Sequence, residues 1–343
     1  MELQLKNIGM IKKANVKIDG LTVIAGENDT GKSTVGKALY LKLNFLYGYA
    51  NELKDFDKSK EMSAEKKKKI KKLMALPRLL FANQISQNGN ISLLREKEKY
   101  AFDIENNIMK PNESYNNISS LSDELSLIMI ETPLVWNFTD FFRDIAQIES
   151  QMRIELDYPY LMKDLNFKLH IKSASSGLDI KEKVTSLMGG EFKKDEMGRY
   201  YFDKQGQRIE LVNTATGIKY FAIFQVLSQN NYLNKDTVLV LDEPEVHLHP
   251  KWQLEIAKII VTLVKNGVKI VVNSHSPYMI EALQRYSELE KVNSDFYLAK
   301  DGSIKKENDS NAETLEKIFE KLAEPFDVFE EMNSQSMEKL ING

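Results

Sequence analysis

Residues 21–33 read Leu-Thr-Val-Ile-Ala-Gly-Glu-Asn-Asp-Thr-Gly-Lys-Ser, and the fold turns on this stretch. Leu21 to Ala25 is a short apolar run without alternation. That pattern suits a strand buried on both faces of a parallel sheet. The run ends in a turn bounded by Gly26 and Gly31, and a helical pattern starts at Lys32. Gly26 to Ser33 match Gly-x-x-x-x-Gly-Lys-Ser in full, with Thr34 next. The glycines let the turn curl so that successive backbone N–H groups point inward and can hold phosphate oxygens. The positive end of the following helix strengthens that field. Lys32 can reach the β- and γ-phosphates, and the Ser33 hydroxyl is a hard oxygen donor for Mg²⁺. The nucleotide-binding residues expected here are Gly26, Glu27, Asn28, Asp29, Thr30, Gly31, Lys32, Ser33 and Thr34, with ATP and Mg²⁺ as the ligands.

Outward from this loop the same logic repeats. On the N-terminal side, Leu3 and Leu5, then Val16 and Ile18, alternate in segments bounded by turn residues, which predicts two short antiparallel strands. On the C-terminal side, Thr237–Leu241 and Val268–Asn273 are two further buried strands, separated by an amphipathic helix over 251–266. A helix over 216–229, another over 278–285 and a tail helix over 312–340 complete an α/β core with a parallel sheet. Hairpins are expected from 188 to 210. Between the halves, 49–185 reads as a mostly helical insert, with helices near 62–82, 90–108 and 138–155 and one apolar strand over 126–136. The expected organisation is a discontinuous head, 1–48 with 186–343, interrupted by that insert.

Strand ends supply the other chemistry. Asp242 and Glu243 follow an apolar strand and so stand at its C-terminal edge, where open α/β sheets bind ligands. Asp242 would hold Mg²⁺, and Glu243 would orient and deprotonate an attacking water. His275 follows the next strand and can donate a hydrogen bond to the γ-phosphate. His247 and His249 could form a metal site with Glu245, but packing or helix capping is the better reading. Six lysines between 66 and 72 either contact a phosphate backbone or form a solvated helix face, the commoner case.

Composition sets the outer limits. The 343 residues are 42% hydrophobic and 28% charged, which excludes wholesale disorder. No apolar run has the length of a membrane span, and the first residues alternate, unlike a signal peptide. With no cysteine, there is no disulfide framework, thiol nucleophile or cysteine zinc site; a cytoplasmic protein is expected. The net charge of −3 gives nucleic acid no general support.

The Gly-x-x-x-x-Gly-Lys-Ser-Thr loop, the segment Asp242-Glu243-Pro244-Glu245-Val246-His247-Leu248-His249-Pro250, and the strand ending in Ser274-His275-Ser276-Pro277 together resemble ABC-type ATPase heads of the OLD and SMC-like kind. The resemblance covers about 1–48 and 186–290. It implies a P-loop NTPase fold and heads that form a homodimer or a higher oligomer around ATP. It also implies a signature loop reaching the partner's nucleotide, matched here by 213–219 with Thr216, Gly217 and Lys219; Ala215 stands where the family has serine. The glutamine that such heads use near Mg²⁺ has no clear match, and Glu131 and Gln147 are the nearest candidates. The 43 residues after Lys300 read as helix, so a Toprim nuclease domain does not fit. A stand-alone ATPase subunit is implied, as in Septu- and PARIS-type phage defence, acting with a separate nuclease or toxin. A DNA-engaging repair ATPase and an ATP-gated scaffold holding a toxic partner inactive are the rival readings.

Overall fold

Two hydrophobic runs that alternate, then one that does not, open the chain and set its architecture. In the computed structural model, which describes residues 1–53, 63–82, 84–95, 98–111, 125–152, 159–246 and 248–342, β1 (Glu2–Ile8) and β2 (Ile11–Lys17) form an antiparallel hairpin. β3 (Leu21–Ala25) is buried at every position. α1 (Lys32–Leu53) follows the loop, starting at Lys32 as expected. α2 (Ala64–Phe81) carries the lysine run and starts at Ser63, whose hydroxyl accepts from the Lys66 N–H.

Three antiparallel strands follow: β4 (Asn88–Arg95), β5 (Glu98–Glu105) and β6 (Ile108–Pro111). They replace the helix expected over 90–108. The Lys- and Glu-rich centre of that stretch has helix-favouring composition, but Ile91, Leu93, Tyr100, Phe102 and Ile104 alternate and are all buried. The period of two wins because β4 pairs with β1 and buries one face. The segment read as a mostly helical insert thus contributes strands to the main sheet.

β7 (Ser126–Ile130) is shorter than the strand expected over 126–136. A 3₁₀ turn over Pro133–Phe138 ends it, because Pro133 offers no N–H to a ladder. Next come α3 (Thr139–Met152), α4 (Tyr160–His170) and α5 (Lys181–Met188). The expected hairpins appear as a separate sheet of β8 (Glu191–Lys194), β9 (Tyr200–Lys204) and β10 (Gln207–Glu210). The rest alternates: α6 (Thr216–Gln229), β11 (Thr237–Asp242), α7 (Pro250–Lys265), β12 (Lys269–Ser274), α8 (Pro277–Glu290), β13 (Ser294–Lys300), β14 (Ser303–Lys305) and α9 (Asn311–Asn342).

The main sheet runs β6-β5-β4-β1-β2-β14-β13-β3-β12-β11-β7. From β13 to β7 every neighbouring pair is parallel. Both faces of this parallel part are covered. Val23, Leu239, Leu241 and Val272 pack with α6 and α7 on one side. Ile24, Val238, Val240 and Val271 pack with α1 on the other. This is a P-loop NTPase arrangement: parallel strands with helices on both faces, all delivering their C-terminal ends to one edge.

Candidate functional site

Parallel register decides which side chains meet. Ala25 lies beside Ser274 across the β3–β12 pair, and Asp242 lies beside Asn273 across β11–β12. The phosphate loop, the two acids and the His275 turn therefore emerge next to one another.

The loop is built around its glycines. A Cβ on Gly26 would fall 2.4 Å from the Ala299 carbonyl oxygen, so only glycine fits there. Gly31 adopts φ +91°, and a Cβ there would press on Ile11. Thr30 Oγ1 donates to the Glu27 carbonyl across the curl at 2.8 Å. Glu27, Asn28 and Asp29 are exposed on its outer side. The Thr34 N–H donates to the Gly31 carbonyl at 3.1 Å, which starts α1.

Lys32 is buried. Its Nζ donates to the carbonyls of Gly26 at 2.9 Å and Glu27 at 2.6 Å, and lies 4.0 Å from Glu243 Oε1. Burial lowers its pKa from the usual lysine value, while Glu243 and then Asp242 oppose that shift. Ser33 Oγ donates to Asp242 Oδ1 at 3.1 Å, and Asn273 Nδ2 donates to the same oxygen at 2.8 Å. His275 Nδ1 lies 3.2 Å from Glu243 Oε1. Glu243 itself sits at φ +49°, a left-handed conformation uncommon for a residue with a Cβ, and its N–H donates to the Asn273 carbonyl at 2.9 Å. All five residues expected to carry the chemistry, Lys32, Ser33, Asp242, Glu243 and His275, are brought together.

The donor set fits the expected ligands. Ser33 Oγ and Asp242 Oδ1 are two hard oxygens in mutual contact, and Mg²⁺ takes few protein ligands and keeps its waters. The glycine curl with a buried ammonium at its centre fits a polyphosphate. No group of three or more acidic or histidine side chains that could hold a metal occurs among the described residues.

Residues 213–219 do not reach this loop within the chain: among the described residues no hydrogen bond or ion pair joins the two. Thr216 is half-buried at the start of α6. Lys219 is buried and donates to Asn137 Oδ1 at 2.9 Å, so its ammonium is engaged within its own chain. The Gly217 site is also filled internally, since a Cβ there would lie 2.8 Å from Trp252 Cζ3. His249 caps α7 by accepting from the Lys251 N–H, as the capping reading expected; His247 lies outside the described residues. Gln147 is exposed on α3.

Three participants have a place in the structure that the sequence reading did not give them. Glu131, only loosely placed before, follows β7 and pairs with Lys37 at 3.6 Å; burial raises its pKa, Lys37 opposes this and Asp242 adds to it. Asn273 steadies Asp242. Glu245 is buried and accepts from Ser274 Oγ at 2.7 Å. The spacing of Glu245 from Asp242 and Glu243 was visible, but its inward direction was not.

A family model described as "AAA domain, putative AbiEii toxin, Type IV TA system" matches residues 42–281. The Old nuclease of Escherichia phage P2 is 28% identical over 120 residues, 35% of this chain and 20% of that protein. The matched part thus spans about a fifth of that relative's length. Similar solved structures include the SMC head bound to the C-winged helix domain of ScpA, with TM-score 0.49 and 14% identity over 89% of this chain and 95% of that one. The SMC head domain from Thermotoga maritima gives TM-score 0.42 and 14% identity over 89% and 96%.

Proposed function

The chain belongs to this AAA-domain family, and from that premise we propose that it binds ATP with Mg²⁺ at residues 26–34 and hydrolyses it to ADP and phosphate. The observation that carries the reading is the meeting of Lys32, Ser33, Asp242, Glu243 and His275 at one sheet edge.

Each residue has a task set by its position. Lys32, now held by two loop carbonyls, turns its ammonium to the β- and γ-phosphate oxygens. Ser33 and Asp242 would hold Mg²⁺, which supplies charge neutralisation to the phosphate oxygens when bound. Glu243 accepts the proton of the attacking water. His275 orients the Glu243 carboxylate and donates toward the departing phosphate.

The further reading is of a head that pairs with a second copy. Residues 213–219 of one copy then complete the site of the other, and the ATP-dependent assembly controls a separate effector, a nuclease or toxin, in anti-phage defence. The OLD-like motifs and the phage relative support this step. A second reading, contact with nucleic acid, has in its favour the exposure of Lys67, Lys68, Lys71 and Lys72 on α2. Salt-dependent retention on DNA, lost when those lysines are changed to Gln, would test it.

Lys32→Ala decides the main proposal. Wild-type protein should release phosphate from ATP in the presence of Mg²⁺. The variant should lose both that activity and ATP binding by titration calorimetry. Equal affinities would refute the assignment of the loop.

A further inference from the structure

Glu245 lies in the connection from β11 to α7, is buried, and has no role of its own in the proposed chemistry. Its Oε1 gathers three donors from one turn: Ser274 Oγ at 2.7 Å, the His275 N–H at 2.9 Å and the Ser276 N–H at 3.2 Å. The same oxygen lies 3.6 Å from His275 Nδ1. The turn is also tied from its far side. Ser276 Oγ donates to Gln253 Oε1 at 2.7 Å and accepts from the Met279 N–H to cap α8. Gln253 Nε2 returns to the Leu248 carbonyl at 3.1 Å. Glu245, Leu248, Gln253 and residues 274–276 are therefore one hydrogen-bonded unit with Glu245 at its centre.

We propose that Glu245 is a positioning residue for His275: it locks the Ser274–Ser276 turn so that the imidazole stays within hydrogen-bond reach of Glu243. This rests on the ATPase reading for its consequence, though not for its geometry. A carboxylate is suited to the task because one charged oxygen can satisfy three donors where a neutral group would leave some unmet. Burial makes the lock tight, since any donor released from Glu245 would have no water to take its place. The second carboxylate oxygen and the Tyr220 hydroxyl, both enclosed, have no hydrogen-bond partner among the described residues. Tyr220 belongs to α6, the helix that begins within the 213–219 loop.

The test uses the full chain and two independent readouts. The first is steady-state ATP turnover. Glu245→Ala should lower kcat about 10²-fold, the scale of a misplaced catalytic group, while KM for ATP changes little. Glu245→Gln keeps one carbonyl oxygen for the donors and should recover most of the loss. Ser274→Ala removes only the shortest bond and should fall between. The second readout is the histidine ring spectrum of protein carrying ¹³C-labelled histidine. The sequence holds four histidines, and loss of a signal in His275→Gln identifies the one that matters. That signal should shift or broaden in Glu245→Ala and in Ser274→Ala while the others stay.

Wild-type kcat in folded Glu245→Ala, or an unmoved His275 signal, would overturn the proposal. Should Glu245→Ala fail to fold, Ser274→Ala decides by the same two criteria. A wild-type protein without ATP turnover would refute the ATPase reading, whereas the ring signal would still decide whether Glu245 holds the turn.

Discussion

Glu243 illustrates how a residue's conformation and its chemistry are set by different neighbours. Its backbone is held at φ +49° by the N–H donated to Asn273, and its carboxylate is held between His275 and Lys32. The first contact places the side chain and the second sets its charge environment. Glu243→Gln keeps the shape and removes the base. We expect ATP affinity within error of wild type and a turnover lower by about 10²-fold or more, read by calorimetry and phosphate release on the same preparation. Wild-type turnover would place the base elsewhere. At this scale the sequence was informative where a residue type is demanded by a strand end or a tight curl, as at Gly26, Lys32, Asp242 and His275. It assigned no role to Asn273, and Glu245 entered only as a metal-site partner of His247 and His249. Their roles come from the direction in which a short connection folds back, and neither alternation nor spacing encodes that direction.

Among the elements, β4 and β5 show why local composition misled. Residues 95–99 are charged and suit a helix, yet the flanking alternation pairs with β1 and closes over α1. Phe102 is the centre of that closure: fully buried, edge-on to Phe45 at 4.6 Å and beneath the Lys42 ammonium at 3.7 Å. Phe102→Ala should cost about 3–5 kcal/mol, measured by urea unfolding; a loss typical of a surface position would mean that the hairpin is not part of the core. The buried strands β3, β11 and β12 were legible because a run apolar on both faces has few other solutions. A second element carries a pH dependence. His170 ends α4, with its ring 5.2 Å from Tyr200 and its Nδ1 on the Asn166 carbonyl at 2.8 Å. Burial lowers its pKa below 6.5, and the bond to Asn166 only partly opposes this. The folded ring therefore resists protonation that the unfolded chain accepts. Its contribution is complete above pH 6.5 and is lost as pH falls from there through the lower folded value. His170→Phe keeps a ring against Tyr200 and should flatten this part of the curve. Urea midpoints at about pH 7.5 and about pH 5.5 would show it; equal slopes in both proteins would remove His170 from the account.

For the whole molecule, the question is how two copies could complete one another's sites. The loop at 26–34 is exposed on its outer side, and the start of α6 is exposed at Asn213 and Ala215. Gly217 and Lys219 are used inside their own chain, so within 213–219 the polar or small positions open to a partner's phosphates would be Asn213, Ala215 and the half-buried Thr216. Ala215 is the N-cap of α6 and makes no side-chain cap bond. This vacancy gives a substitution with opposite consequences at two scales. Ala215→Asp supplies the missing cap and should stabilise the single chain by about 1 kcal/mol. In a head-to-head pair the same carboxylate would stand beside a triphosphate and should prevent association. Ala215→Asn supplies the cap without the charge and should associate normally. On a Glu243→Gln background, where hydrolysis cannot dismantle the pair, sedimentation with ATP and Mg²⁺ should show dimers for the parent and for Ala215→Asn, and monomers for Ala215→Asp. ATP affinity of the Ala215→Asp monomer should be unchanged, because its own loop is untouched. Dimers of Ala215→Asp at the parent's ATP concentration would mean that residues 213–219 are a helix start and no more, and that any assembly uses another face.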